Sequence, residues 1–119
     1  MTGQFLVAVV AVIHLAIVLA EMVFWETGPV RRAFGMSRDF AANTRVLAAN
    51  QGLYNGFLVA GLVWALIAGL PGAGAQIAHF FLACVIVAGL YGAATVSRRI
   101  LVVQALPAVL ALGAVLAGV

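Results

Sequence analysis

The fold is decided by the stretch Ala49-Asn50-Gln51-Gly52-Leu53-Tyr54-Asn55-Gly56-Phe57-Leu58. It combines three carboxamides, a tyrosine and two glycines, and apolar residues flank it on both sides. Polar side chains in hydrocarbon are costly unless they are hydrogen-bonded or serve a function. The stretch therefore predicts a membrane-spanning helix that carries either a binding site or polar contacts to neighbouring helices.

Composition identifies the chain as an integral membrane protein. Of its 119 residues, 66% are hydrophobic and 8% are charged, whereas soluble domains have about 25% charged residues. This length predicts a single integral membrane domain over residues 1–119. The net charge of +3 is explained by membrane topology, so we expect no nucleic-acid partner. The single cysteine, Cys84, cannot form an intrachain disulfide.

The pattern of apolar runs predicts an all-α fold, a four-transmembrane-helix bundle. The spans are expected at about residues 4–25, 39–69, 75–96 and 100–118. Short connections between the last three spans make them antiparallel neighbours. The longer first connection mixes arginines with aromatic residues, which predicts a short segment on the membrane surface. Ser37 is the predicted N-cap of the second span.

The arginines predict the orientation of the chain. All six lie in the first and third connections or in the adjoining helix ends, and the second connection and both tails have none. Positive charge is enriched on the cytoplasmic side of membrane proteins. We therefore expect both arginine-bearing connections in the cytoplasm and both the N-terminus and the C-terminus outside.

Polar residues of several spans are expected at similar depths in the cytoplasmic half. His14 and Glu21 are seven residues apart and therefore share a helix face. Pro107 removes a backbone donor and is expected to free the carbonyl of Val103 at the same level. Together these positions predict an inward-facing polar pocket. Its candidate ligand-binding residues are His14, Glu21, Asn50, Gln51, Tyr54, Asn55, Tyr91, Thr95 and Gln104.

Several other kinds of site are poorly supported. His14 and Glu21 supply two possible metal ligands, but no further inward histidine or cysteine completes a set, so no metal is expected. Cys84 lies among apolar residues that do not activate a thiol. No phosphate-binding loop or dinucleotide fingerprint is present, and no cofactor is expected.

Structural explanations of the same residues stay open. Glu21 could pair with an arginine, either Arg45, Arg98 or Arg99, as an anchor near the membrane surface. The carboxamides could serve only as hydrogen bonds between helices. His14 could be satisfied by Asn55 or by a backbone carbonyl.

Four motifs carry a resemblance to a known family. They are His14-x6-Glu21-Met22-x2-Trp25, Ala49-Asn50-Gln51-Gly52-Leu53-Tyr54-Asn55-Gly56-Phe57, Gly89-Leu90-Tyr91-Gly92-Ala93-Ala94-Thr95 and Gln104-x2-Pro107-Ala108-x-Leu110-Ala111-Leu112. Together they resemble a bacterial family of small four-span membrane proteins, domain of unknown function thirteen-oh-four. The resemblance covers essentially the whole chain. It implies a multi-pass protein of the bacterial inner membrane and implies no activity.

Three functions remain compatible with the sequence. The first is binding or transport of a small polar or cationic solute, with Glu21 as counter-charge and His14 as its proton-linked partner. Because four spans rarely enclose a pathway, transport would require a homo-oligomer. The second is a membrane-embedded enzyme, of isomerase or hydrolase type, with His14 and Glu21 as a catalytic acid–base pair. The third is a non-catalytic assembly subunit, and in each case membrane lipids are expected partners.

Overall fold

The computed structural model describes all 119 residues, and the chain is all-α, 82% helical and without strands. Five α-helices and one π-helical turn follow each other along the chain. Their bounds are Thr2–Met22 (α1), Gly28–Phe34 (α2), Arg38–Ala68 (α3), Ala75–Thr95 (α4), Leu101–Ala105 (the π-helical turn) and Leu106–Leu116 (α5).

Three helices, α1, α3 and α4, are long and apolar enough to cross a membrane. The predictions of an all-α fold and of three helices long and apolar enough to cross a membrane are confirmed. The last apolar segment consists of five π-helical residues followed by 11 α-helical ones. That is shorter than the roughly 20 residues that usually cross a bilayer. Its crossing of the membrane stays a prediction.

The first connection contains a short helix, α2, at the position where the sequence predicted a surface segment. Pro29 stands in its first turn, and Gly35 ends it with φ of 66°, a left-handed conformation that glycine adopts without strain. Ser37 then caps α3, because its Oγ accepts a hydrogen bond from the Phe40 amide at 3.1 Å. The predicted N-cap is therefore confirmed.

The long helices pack in a closed arrangement. α1 and α4 each contact both α3 and α5, and the α1–α3 contact is the most extensive. One continuous apolar core joins them in the half of the molecule that holds the chain termini. Its largest fully buried side chains include Val7, Val10, Leu62, Leu82 and Val85.

Both termini lie at the same end of the molecule. The amino group of Met1 donates a hydrogen bond to the Val119 carbonyl at 2.8 Å. Gly3, Leu70 and Val119 also line one small hollow, which places the α3–α4 turn at this end. Because α1 runs away from this end, α2 and the α4–α5 connection lie at the other, together with the arginines.

Large apolar side chains cover the outside. Phe5, Val12, Ile67 and Phe80 are each more than 60% exposed. Such exposure is unfavourable in water and favourable against lipid chains. The outer surface is thus compatible with a membrane protein.

The proline near the C-terminus lies just after the π-helical turn. The amide of Leu106 donates to the Leu101 carbonyl, five residues earlier. Gly89 of α4 packs against this turn, and a Cβ at Gly89 would lie 2.9 Å from the Ala105 nitrogen. Because Pro107 has no N–H, a carbonyl one turn before it lacks its usual helical donor.

Candidate functional site

Glu21 is a buried carboxylate in the last turn of α1, with 2% of its surface exposed. The Asn55 side-chain amide donates to its Oε1 at 2.6 Å. The Gln51 side-chain amide donates a short hydrogen bond to its Oε2. Gln51 and Asn55 are four residues apart on α3 and therefore share a face. We call these three residues the Glu21 cluster.

Gly52 lets α1 and α3 approach each other at this level. A Cβ at Gly52 would overlap Cγ of Met22 and lie 3.1 Å from Cβ of Glu21. Any larger residue would therefore push α1 away from α3. Because Gly52 has no side chain, Gln51 and Asn55 of α3 can reach the Glu21 carboxylate of α1.

The Glu21 cluster keeps hydrogen-bond acceptors free, alongside the second N–H of each amide. An ionised carboxylate can accept about four hydrogen bonds, and two of these are supplied by the amides. Because an ionised carboxylate cannot donate, each amide turns its nitrogen toward Glu21 and its carbonyl oxygen away. The remaining capacity of the cluster suits a cation or a molecule rich in N–H donors.

His14 lies two turns from Glu21 on α1 and is 1% exposed. Its Nδ1 is 2.8 Å from the Val10 carbonyl oxygen. Since a carbonyl can only accept, this contact places the proton on Nδ1 and leaves Nε2 as an acceptor. Nε2 is buried and has no partner in the chain. No hydrogen bond joins His14 to Glu21.

The other predicted site residues lie outside the Glu21 cluster. Asn50, Tyr54, Tyr91 and Thr95 are exposed on the outer faces of α3 and α4. The Thr95 hydroxyl donates to the Tyr91 carbonyl of its own helix at 2.7 Å. Gln104 is half-buried in the π-helical turn. Of the nine candidates, the structure thus brings three into direct contact, Glu21, Gln51 and Asn55.

No arginine pairs with Glu21. The one ion pair in the chain joins Arg45 to Glu26 at 3.6 Å, and both side chains are exposed. Just beside it, Trp25 Nε1 donates to the Thr44 hydroxyl at 3.0 Å. Glu21 is therefore not anchored by an arginine. Arg45 pairs with the exposed Glu26 instead.

Two hollows lie away from the Glu21 cluster. One, of about 10 Å³, lies between the termini and the α3–α4 turn. Another, of about 520 Å³, is an apolar groove between α1 and the start of α2. No group of three or more histidine, cysteine, aspartate or glutamate side chains comes together.

The sequence did not predict the apolar groove or the Trp25–Thr44 contact. Both depend on how the chain turns after α1, which no spacing rule gives. The Val10 partner of His14 has a sequence signal, since a residue four positions earlier on a helix offers a nearby carbonyl.

Comparison with known proteins adds one finding. Residues 8–116 match the model of a family described as "Protein of unknown function (DUF1304)". No curated protein and no solved structure matches the chain. The matched range contains every candidate site residue, from His14 to Gln104. The chain therefore belongs to the family of proteins of unknown function DUF1304.

Proposed function

We propose that this protein is a four-span protein of the bacterial inner membrane that binds a small cationic solute at the Glu21 cluster and, as a homo-oligomer, transports it. Leu101–Leu116 is the fourth span of the single domain. Both termini are outside and the arginine-bearing end is cytoplasmic. The segregation of all six arginines to one end supports this orientation.

The observation that carries the proposal is a buried carboxylate in a membrane helix whose two hydrogen-bond partners are neutral amides, so that acceptor capacity on the carboxylate stays free. Ionisable groups inside membranes are rare, and they mark solute or proton pathways more often than they serve packing alone. Glu21 has no cationic side chain against it. A cationic solute would supply the missing counter-charge and donate N–H bonds to the free oxygens.

Gln51 provides the route to the site. Its side chain is exposed, whereas Glu21 is buried, so the cluster reaches the molecular surface at Gln51. A carboxamide can present either N–H donors or a carbonyl acceptor. Rotation of Gln51 and Asn55 would replace their N–H contacts with Glu21 by carbonyl contacts with the incoming cation. His14, with its unpartnered Nε2, is the next acceptor deeper along α1.

The exposed polar residues of α3 support the homo-oligomer. Asn50 and Tyr54 face outward about two and three turns along α3 from Thr44, the hydrogen-bond partner of Trp25. Carboxamides that face hydrocarbon gain by pairing with another helix. A second copy of the chain across this face would satisfy them and line a longer pathway.

A non-catalytic assembly subunit is the second candidate. It is favoured by the fact that both carboxamides are already engaged with Glu21, which joins α1 to α3. In that case the Glu21 cluster serves only to hold α1 against α3. The membrane-enzyme alternative has less support, because its proposed acid–base pair, His14 and Glu21, is not hydrogen-bonded.

Solute flux tests the proposal. Purified protein in proteoliposomes is assayed with radiolabelled guanidinium and methylammonium, and with urea as a neutral solute of similar size. We expect uptake of the cations above that of empty vesicles, no uptake of urea, and loss of cation uptake in Glu21→Gln. Glu26→Gln removes the same charge from an exposed glutamate and should leave uptake unchanged. Cation uptake that survives Glu21→Gln, or no uptake by the unmodified protein, contradicts transport at this site.

A further inference from the structure

An apolar groove runs along the outer side of α1 beside the first residues of α2. Its volume is about 520 Å³, within the usual range of small-molecule sites. Ala16 and Ala20 form its floor, because they are four residues apart on one helix face and have small side chains. Leu19, Pro29 and Val30 contribute to its walls. None of these residues belongs to the Glu21 cluster.

Two arginines come directly after the last residue that lines the groove. Arg31 and Arg32 directly follow Val30 in α2. Arg31 Nε donates to the backbone carbonyl of Glu26 at 3.2 Å, and neither arginine is paired with a carboxylate. The apolar groove is thus followed along α2 by two cations that no carboxylate compensates.

The charged end lies where lipid headgroups are expected. Trp25 and Phe34 pack with ring centroids 5.3 Å apart beside this end, and aromatic residues of this kind mark the membrane–water interface. Ala16 lies about two turns deeper along α1, at the level of acyl chains. The polarity of the groove therefore runs from headgroup to hydrocarbon, as that of a phospholipid does.

We propose that this groove binds one anionic phospholipid, with an acyl chain along Ala16 and Ala20 and its headgroup phosphate on Arg31 and Arg32. Charge complementarity selects an anionic lipid over a zwitterionic one. A basic residue at the membrane surface contributes about a fivefold preference for anionic lipid, so the two arginines together predict a preference of roughly 25-fold, with about tenfold as its lower bound. This site is independent of the solute proposed at Glu21.

Trp25 reports on the groove, because it directly follows Phe24, one of the lining residues. The full chain with Trp64→Phe has Trp25 as its single tryptophan. It is placed in phosphatidylcholine bilayers, and phosphatidylglycerol or phosphatidylcholine with brominated acyl chains is added. We expect half-maximal quenching of Trp25 at an about tenfold lower mole fraction of the anionic lipid. Equal quenching by the two lipids overturns the proposal.

Two pairs of variants separate a specific site from general attraction of anionic lipid. Arg31→Gln with Arg32→Gln should abolish the preference, whereas Arg98→Gln with Arg99→Gln removes the same charge elsewhere and should preserve it. If both double variants lose the preference equally, the attraction is not a property of this groove, and the proposal fails.

Filling the groove gives an independent measurement. Ala20→Phe should weaken quenching by the anionic lipid several-fold, because the added ring takes the space of the acyl chain. Val87→Phe adds a ring to an exposed apolar position of α4 and should leave quenching unchanged. Unchanged quenching in Ala20→Phe would place the lipid outside the groove.

Discussion

At the scale of single residues, the molecule depends on how Glu21 is accommodated. A carboxylate with 2% exposure inside a membrane helix is tolerated only when it is hydrogen-bonded. Asn55 and Gln51 supply those bonds from one face of α3. The neighbouring carboxamide, Asn50, is exposed and does not take part. Of these two asparagines, only Asn55 therefore contributes a hydrogen bond to Glu21.

Asn55→Ala should lower the stability of the protein because it removes a donor to a buried carboxylate. We expect a loss of about 1–2 kcal/mol, since bonds between membrane helices average below 1 kcal/mol and those to charged acceptors are stronger. Asn43→Ala, the matched control at an exposed asparagine near the start of α3, should change stability by less than about 0.5 kcal/mol. Reversible unfolding in mixed micelles measures both. Equal losses would show that Asn55 has no special contact with Glu21.

Gly52→Ala should destabilise the protein although alanine favours helices. The added methyl group would overlap Met22 and press on Cβ of Glu21. Overpacking of this kind costs about 1–3 kcal/mol. Gly56→Ala, one turn away with nothing within 4 Å of its Cβ, should be neutral or stabilising by about 0.5–1 kcal/mol. Thermal unfolding of the two variants in the same detergent measures the difference, and a stabilised Gly52→Ala would contradict the close approach.

At the scale of helices, α1 and α3 are fastened at two levels. The Glu21 cluster joins them within the membrane helix. The Trp25–Thr44 hydrogen bond joins the turn after α1 to the first turns of α3. Between these residues the chain forms α2, so the second contact also determines where the surface helix and its arginines lie.

Thr44→Val keeps the shape of the side chain and removes the acceptor for the Trp25 indole N–H. We expect faster amide hydrogen exchange in residues 23–37, because the turn and α2 lose their tie to α3. The matched control is Thr95→Val, since the Thr95 hydroxyl bonds only within α4. Mass-spectrometric exchange of the two variants measures the effect. An unchanged 23–37 segment in Thr44→Val would mean that packing alone holds α2.

At the scale of the whole molecule, polar and apolar contacts occupy different halves. The apolar core fills the half with the termini, and the Glu21 cluster lies in the half with the arginines. This division is compatible with a site that opens to one side of the membrane and is closed toward the other.

Cysteine labelling in intact cells measures the orientation. In a Cys84→Ser background, Ala33→Cys should react only after an impermeant thiol reagent gains access to the cytoplasm. Ala73→Cys and Val119→Cys should react from outside, because the α3–α4 turn and the C-terminus lie at the same end. Val119→Cys that reacts from the side of Ala33→Cys would show that the last apolar segment does not cross the membrane.

Much of the fold followed from local sequence rules. Apolar length gave α1, α3 and α4, and a serine before an acidic first turn gave the cap of α3. Spacing of four gave the shared face of Gln51 and Asn55 but offered Asn50 and Tyr54 an equal chance of facing inward. The packing of Gly52 against Met22 and Glu21 of α1 turns Gln51 and Asn55, and not Asn50 and Tyr54, toward α1. The π-helical turn was likewise not predicted. Pro107 indicates that the helix is irregular before it, but not that the irregular part is π-helical.

The side-chain amides of Gln51 and Asn55 offer the most direct test of cation binding at Glu21. The protein, labelled with ¹⁵N and held in lipid nanodiscs, is titrated with guanidinium while its side-chain amide resonances are followed by nuclear magnetic resonance. Cation binding at Glu21 predicts saturable shifts of Gln51 and Asn55, no shift of the exposed Asn43, and loss of the response in Glu21→Gln. Unchanged Gln51 and Asn55 resonances, or equal shifts that persist in Glu21→Gln, would contradict cation binding by the Glu21 cluster.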